Sequence, residues 1–179
     1  ERQRDLVCFS QKLSESFIKT HWSELTEYQC EHVCSNQKLS ASFIKTHWSE
    51  LTKEQQKLTT DIHLNYPDKK ERIKRAKNYA KLHDLKIKNG RLYAFREHDQ
   101  WGRGIFNKTI FYEAGKEYKD WHCDPREEEE NSFGLGIWPN TKSRVNTPVS
   151  VKLEDFVVAV NRDDGKARVM GFRVEKWPV

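Results

Sequence analysis

The sequence predicts an α+β protein with helical-hairpin repeats at the N-terminus, then a basic helix, then a small antiparallel β-sheet or open barrel. Three observations predict this order: a sixteen-residue segment recurs at a period of 26, a basic block follows it, and the C-terminal half alternates short apolar runs with Gly and Asn turns. We therefore divide the 179 residues into a repeat region, 1–64, a basic linking helix, 65–84, and a β domain, 85–179.

The repeat is nearly exact. Residues 11–26 and 37–52 differ at one position, where Glu15 in the first copy corresponds to Ala41 in the second. Apolar residues in each copy are spaced as on one face of an α-helix, and a second short amphipathic stretch follows. We interpret each copy as a helix–turn–helix hairpin that needs a stacked neighbour to bury its apolar face, with residues 54–64 as a degenerate capping unit. In the first copy that face consists of Leu13, Phe17, Ile18, Trp22 and Leu25.

The basic block concentrates the positive charge of the chain. Residues 65–96 contain 11 basic and 3 acidic side chains, a net charge of +8, whereas the whole chain carries +5. Pro67 followed by Asp68 is typical of a helix start, and we predict a helix from about Asp68 to His83. Its predicted inner face consists of Ile73, Ala76, Tyr79, Ala80 and Leu82.

A concentrated positive surface attracts nucleic acid and acidic protein grooves alike, and nearby aromatic rings can stack on unpaired bases. The alternative is a helix face that is simply solvated. The candidate binding residues are Lys69, Lys70, Arg72, Lys74, Arg75, Lys77, Lys81, Tyr79 and Trp101.

The C-terminal half reads as short strands. Asn89-Gly90 between two apolar runs predicts a two-residue hairpin, because both turn residues accept positive φ. A second hairpin is predicted from 156–160 and 166–174, with Met170, Phe172 and Val174 facing inwards. Further strands are predicted at 109–113, 133–138 and 149–153.

Cys30 and Cys34 stand four residues apart, which places both thiols on one helix face. Zinc requires four ligands, and the remaining two would have to come from Cys8, His21 or His47. The alternative is that the cysteines are core residues, as free cysteines usually are. Four cysteines in a chain of this length do not form a disulfide scaffold and favour a reducing, cytoplasmic setting.

Cys123 beside His122 is the one place where the sequence suggests catalysis. Neighbouring residues in a strand point to opposite faces, so a base for Cys123 would have to come from elsewhere in the chain, for instance His98 or Asp99. We therefore expect no enzymatic activity. The acidic run 127–130 is expected to be solvated, with a divalent ion or a basic partner as alternatives.

The repeated unit QKLSESFIKTH (11–21) resembles the QKLSE-type repeats of proteins encoded by tailed bacteriophages. The C-terminal stretch from Leu92 to Val174 resembles a phage-type domain of unknown function. That likeness is carried by LYAFREHDQWGRG (92–104), FYEAGKEYKDWHCDP (111–125), NSFGLGIWP (131–139) and EDFVVAVNRDDGKARVMGF (154–172). The resemblance implies a phage-encoded accessory protein that acts inside a bacterial cell, where several small phage proteins bind host nucleases, including CRISPR effectors.

Together, these observations predict a non-enzymatic binding protein. It would engage a host protein that handles nucleic acid through the basic surface, for example as an inhibitor of a defence nuclease. Trp22 and Trp48 are expected to be structural, or binding hot spots if exposed. The alternatives are direct, sequence-tolerant binding of DNA or RNA and a Cys/His-dependent enzyme. No stretch approaches the ~20 apolar residues of a membrane-spanning helix, and we expect the protein in the cytoplasm of the host cell.

Overall fold

The computed structural model describes residues 5, 7–8, 11–105, 107–120, 122–130, 132–140 and 146–176. The chain divides into two compact units, Glu1–Tyr66 and Pro67–Val179. Within these described residues the first unit is helical and the second combines helix with two antiparallel sheets, which confirms the predicted α+β class. The basic helix falls inside the second unit.

Each repeat of the first unit folds into two helices joined by a short turn. The first helix of each repeat continues into a 3₁₀ turn, at Trp22–Glu24 and Trp48–Glu50, and the last helix continues into a π-helical turn, Thr60–Leu64. Within residues 11–64 the α-helices are α1 (Glu15–His21), α2 (Glu27–Asn36), α3 (Ala41–His47) and α4 (Lys53–Thr59).

Local hydrogen bonds fix where these helices begin. Ser14 and Ser40 cap α1 and α3, each accepting a bond from the backbone N–H three residues ahead. Thr26 and Thr52 form capping boxes with the glutamine three residues further on. A cap of this kind satisfies N–H groups that have no partner within the helix, so the identical caps explain why both repeats fold alike.

Gln37 ties the second repeat to the first. Its side chain is fully buried. Its Oε1 accepts the Leu13 N–H at 2.9 Å, and its Nε2 donates to the carbonyls of Cys8 at 2.9 Å and Gln11 at 2.8 Å. One side chain thus satisfies three backbone groups of the preceding repeat.

Trp22 provides the apolar part of the same junction. Its ring packs edge-on against Phe43 at a centroid distance of 5.2 Å and lies 4.9 Å from the His47 ring. Its indole Nε1 donates to Glu50 Oε2 at 2.6 Å. The predicted stacking of two hairpins is therefore achieved through one indole of the first repeat and three side chains of the second.

Within its described residues, the second unit contains the helix α5 (Lys69–Leu82), a 3₁₀ turn (Leu153–Asp155) and eight strands. The strands are β1 (Ile87–Lys88), β2 (Arg91–Glu97), β3 (Glu117–Lys119), β4 (Leu135–Ile137), β5 (Asn146–Lys152), β6 (Phe156–Ala159), β7 (Ala167–Val169) and β8 (Gly171–Val174). A five-stranded sheet has the order β1-β2-β5-β8-β3, a three-stranded sheet has the order β4-β7-β6, and these pairings are antiparallel.

The first predicted hairpin is confirmed: Asn89 and Gly90 adopt φ of 51° and 70° between β1 and β2. The segment 109–113 was predicted as a strand, but Phe111 forms only an isolated bridge with Arg103, and the strand of this region lies further on, at β3.

The second predicted hairpin is formed by the antiparallel pair β6 and β7, but the segment 166–174 continues beyond β7 into β8, which belongs to the other sheet. The chain leaves β7 at Met170, whose N–H donates to the Asp155 carbonyl at 2.7 Å and whose carbonyl accepts from the Asp120 N–H at 2.8 Å. At Met170 these bonds to Asp155 and Asp120 take the place of hydrogen bonds between paired strands. Met170 is therefore only partly buried, whereas the predicted inward positions of Phe172 and Val174 are confirmed.

Candidate functional site

The start of α5 is set by its first residues. Asp68 adopts the extended conformation of a cap, and its side chain accepts the Glu71 N–H at 2.7 Å. Asp68 and Glu71 also place negative charge at the end of the helix where free N–H groups favour it. The helix then runs for 14 residues to Leu82, within one residue of the predicted end.

The inner face of α5 belongs to the core of the second unit. Ala76, Tyr79 and Ala80 are buried, and the Tyr79 ring lies 5.1 Å from the ring of Phe156. The Tyr79 hydroxyl donates to the Gly165 carbonyl at 2.7 Å, and burial raises its pKa. A base cannot stack on a ring in this position, so the predicted binding role of Tyr79 is replaced by a packing role.

Two of the predicted cationic anchors hold the helix to its own unit. Arg72 donates through Nε to the Glu154 carbonyl at 2.6 Å and through Nη1 to the Pro67 carbonyl at 2.7 Å. Arg75 donates through Nη1 to the Val157 carbonyl at 3.2 Å. Both side chains are partly buried, so they satisfy carbonyls at the helix–sheet boundary.

Two lysines of the predicted site form ion pairs. The Lys69 ammonium contacts the Glu154 carboxylate, and this pairing, with hydrogen bonding from Lys69, lowers the pKa of Glu154. Lys74 Nζ lies 3.7 Å from Glu71 Oε2 while the Lys74 side chain stays 69% exposed. An exposed pair at that distance is weak, so Lys74 remains accessible to a partner.

Four lysines form one line along the helix, and we call them the lysine stripe: Lys70, Lys74, Lys77 and Lys81. Their spacings of four, three and four residues keep them within one narrow sector of the helix surface. All four are exposed, and the sector lies opposite the buried Tyr79. At 1.5 Å per residue the stripe is about 16 Å long.

The end of the stripe also presents an apolar group. Leu82 was predicted to face inwards, but it is 77% exposed. Its helical position lies about 100° from that of Lys81, and it is the last residue of the helix. An exposed leucine next to Lys81 in the chain gives this end of the helix both charge and apolar contact area.

Trp101 lies on another element, the loop that follows β2. It is 63% exposed, and the Arg103 guanidinium lies 4.6 Å from its ring centre. Asp99 organises this loop by accepting the N–H groups of both residues at 2.9 Å. Burial opposes ionisation of Asp99, but these bonds outweigh it and lower its pKa to about 2, so the carboxylate is ionised and holds the loop.

Cys34 lies in the core of the first unit, and the partly buried Cys30 packs against that core. Cys34 is fully buried, as its repeat equivalent Cys8 nearly is, and both belong to one apolar cluster. Burial and the neighbouring thiol raise the pKa of Cys30 to about 11. Among the described residues no group of three His, Cys, Asp or Glu side chains is placed to hold a metal ion. The zinc site stays a prediction, which elemental analysis of the purified protein would test.

Cys123 is enclosed. It is 1% exposed, and burial raises its thiol pKa. Gly134 packs directly against it: a side chain added there would have its Cβ 2.5 Å from Cys123 Sγ. His122 is also buried and packs on the Phe133 ring at 5.4 Å. This environment favours an inert core thiol over a thiolate nucleophile.

The second unit also contains a buried ionic cluster that was not predicted from the sequence. Asp124, 1% exposed, accepts bonds from Arg126 Nε and Nη2 and from the Ser132 hydroxyl. Burial opposes ionisation of Asp124, but these bonds prevail and lower its pKa. Arg168 is buried beneath and donates to the Glu129 carbonyl at 2.6 Å.

The acidic run 127–130 is fastened by its backbone to this cluster. Besides the bond from Arg168, the Glu130 carbonyl accepts from Lys166 Nζ at 2.5 Å, and the Glu130 carboxylate pairs with Arg162 at 3.0 Å. The charges of the run are thus partly balanced within the chain. The sequence does contain a signal for this charge balance, because three basic residues lie close together around one turn: Arg162, Lys166 and Arg168.

Within the described residues, no helix combines the length and the apolar character needed to cross a bilayer. Compared with known protein families, with curated proteins and with solved structures, the chain finds no match.

Proposed function

We propose that this protein is a non-enzymatic binding protein that places the lysine stripe of α5 in an acidic groove of a partner protein that handles nucleic acid. The observation that carries the proposal is the geometry of the stripe: four exposed ammonium groups in one line on a helix whose opposite face is fixed in a core. Helices fixed in this way lose little conformational freedom on binding.

The chemistry of the stripe favours a groove that normally receives phosphate. An ammonium group is a compact point charge that binds phosphate and carboxylate without a required orientation. The arginines that could pair with base edges or stack on bases are turned to carbonyls of the chain, and Tyr79 is buried. The surface is therefore suited to charge complementarity and poorly suited to base recognition.

Leu82 supports a protein partner over nucleic acid. An exposed leucine adds to affinity only where a partner offers apolar surface, and a phosphate backbone offers none. In the setting that the sequence resemblance implies, the partner is a nuclease of the host cell, and the chain would act as its inhibitor in the bacterial cytoplasm.

The test compares two quadruple variants of equal charge. In the first, the stripe is neutralised by changing Lys70, Lys74, Lys77 and Lys81 to Gln. In the second, four exposed lysines of the repeats are neutralised by the same change at Lys12, Lys19, Lys38 and Lys45. Both lose four positive charges, so a difference between them reports position and not net charge.

Each protein is used as bait in bacterial lysate treated with nuclease, and the captured proteins are identified and purified. We expect a captured nucleic-acid-handling protein whose affinity falls at least about tenfold with the stripe variant and changes little with the repeat variant. Equal affinity for both variants would overturn the proposal.

Direct binding of nucleic acid by the same stripe is the second outcome to measure. Filter binding to single-stranded and duplex DNA and RNA, between about 50 and 200 mM salt, separates it. If capture is lost on nuclease treatment and naked DNA or RNA binds with a steep salt dependence, the lysine stripe is a nucleic-acid surface and the protein-groove proposal is wrong.

A further inference from the structure

The first repeat has an apolar pocket of about 340 Å³ at the face where the second repeat has a filled site. The described residues that line it include Phe17, His21 and Glu24. At the period of 26, these three correspond to Phe43, His47 and Glu50, the residues that hold the Trp22 indole. The pocket is therefore lined by the same side-chain types that form an indole site one repeat further along the chain.

The correspondence extends to the carboxylate. Glu50 Oε2 accepts both the Trp22 indole N–H and a bond with His47 Nδ1, the latter at 3.2 Å. Glu24 Oε1 forms the same bond with His21 Nδ1 at 3.3 Å. The acceptor that orients the bound indole in the second repeat is thus placed by the same histidine contact in the first.

The chain also carries the matching indole. Trp48 is 37% exposed, whereas Trp22 is 7% exposed. Trp48 adopts φ −54° and ψ −43°, close to the φ −52° and ψ −47° of Trp22, and the histidines before them match equally well. The backbone at Trp48, in the second repeat, therefore has the same local geometry as the backbone that directs Trp22 into its site.

We propose that Trp48 of one copy inserts into the Phe17–His21–Glu24 pocket of a second copy, so that copies associate head to tail. The occupant is a second copy because the chain itself provides both halves of an interface already present between its two repeats. Such a contact uses two different surfaces, so it leaves one of each unoccupied on every pair and extends to longer chains or closes into a ring.

The register of this contact makes a further requirement at position 41. Within the chain, Glu15 accepts bonds from the Ser40 N–H at 2.6 Å and the Ser40 hydroxyl at 2.9 Å. Between copies, Ala41 stands in the place of Glu15 and Ser14 in the place of Ser40. The junction between copies therefore lacks these bonds and is weaker than the junction within a chain.

The experiment measures molar mass by light scattering and sedimentation over a concentration series of the 179-residue chain. We expect the mass of the unaltered chain to rise with concentration beyond that of a dimer. Trp48→Ala and Phe17→Glu should each weaken association at least about 30-fold, as expected for an interface hot spot. Tyr28→Ala, which removes a 59% exposed aromatic residue outside the pocket, should leave association unchanged.

Mixing supplies the sharper result. Trp48→Ala retains the pocket and Phe17→Glu retains the indole, so an equimolar mixture should form a dimer and nothing larger. Far-ultraviolet circular dichroism verifies that each variant is folded. A mixture that stays monomeric at concentrations where the unaltered chain associates would overturn the proposal.

Ala41→Glu tests the same contact between copies by strengthening it, so a loss of folding cannot produce the expected result. A glutamate there should bond Ser14 of the second copy as Glu15 bonds Ser40, and tighten association about tenfold, as a charge-assisted pair of bonds would. If the unaltered chain remains monomeric at every concentration, or if Ala41→Glu leaves the association constant unchanged, copies do not join through this face.

Discussion

The two repeats have almost the same sequence and opposite exposure. Phe17 in the first repeat is 48% exposed while its equivalent Phe43 is 5% exposed; Trp22 is 7% exposed while its equivalent Trp48 is 37% exposed. Each repeat thus has one covered aromatic residue and one open one, on opposite faces. The burial of a residue in this array is decided by its neighbour and not by its own repeat.

The comparison also accounts for the single difference between the copies. Glu15 contacts the following repeat through Ser40, and the corresponding position in the second repeat is Ala41. The described residues that follow the second repeat have Tyr66 at the position equivalent to Ser40. The carboxylate is therefore present where a serine cap follows one period later and absent where none does.

Changing each of the two phenylalanines to alanine separately should give the largest difference in stability. Phe43→Ala should destabilise the first unit by about 3–5 kcal/mol, because it removes a buried ring from the contact with Trp22. Phe17→Ala should cost about 1 kcal/mol or less, because the ring is half exposed. Hydrogen exchange measured by mass spectrometry on peptides from residues 11–64 reports the free energy of opening of this unit alone. Equal costs would show that the repeats do not stack in the described order.

Gln37→Ala is the next largest change. It should destabilise the first unit by about 3 kcal/mol, because the Leu13 N–H and two carbonyls would lose their partner inside the protein. The equivalent residue Gln11 is exposed, and Gln11→Ala should change stability by less than about 0.5 kcal/mol. The same hydrogen-exchange measurement checks both variants, and a cost below about 1 kcal/mol for Gln37→Ala would contradict its role at the junction.

The sequence predicted the features that depend on local periodicity. The helical hairpins follow from the spacing of apolar residues, α5 from Pro67-Asp68 and its inner face, and the first β-hairpin from Asn89-Gly90. Each of these needs only residues a few positions apart. The helical period also indicates a structural role for Arg72, because it lies four residues before the buried Ala76 and on the same face of the helix.

Other features depend on partners that are distant in the chain. The break at Met170 follows from its bonds to Asp155 and Asp120, and neither bond can be inferred from the apolar run 166–174. The ionic cluster at Asp124 joins residues that are more than forty positions apart in the sequence, since it includes Arg168. Which face of each repeat is covered likewise depends on stacking order, which two nearly identical sequences cannot specify.

Glu15→Ala tests the one position at which the two repeats differ. It should cost about 1 kcal/mol, because it removes two charge-assisted bonds at the N-terminal end of α3. The reciprocal change Ala41→Glu, at concentrations low enough for the chain to be monomeric, should alter stability by less than about 0.5 kcal/mol. Urea denaturation followed by circular dichroism measures both, and a matching cost for the two variants would argue against an asymmetric junction.

The smallest expected effect is a pH dependence confined to the filled indole site. Hydrogen bonds from His47 and Trp22 lower the pKa of Glu50 in the folded protein. A carboxyl group whose folded pKa lies below its unfolded value of about 4.3 contributes stability that is complete above that value and is lost as the pH falls through the folded pKa.

Glu50→Gln removes this contribution, so the stability difference between the unaltered chain and this variant should shrink as the pH is lowered from about 5. Trp22→Phe keeps an aromatic ring but removes the indole donor, so it should abolish part of the dependence and leave the part due to His47. Thermal unfolding measured at several pH values gives the differences. If the stability difference stays constant across this pH interval, the Glu50 carboxylate does not stabilise the junction that holds Trp22.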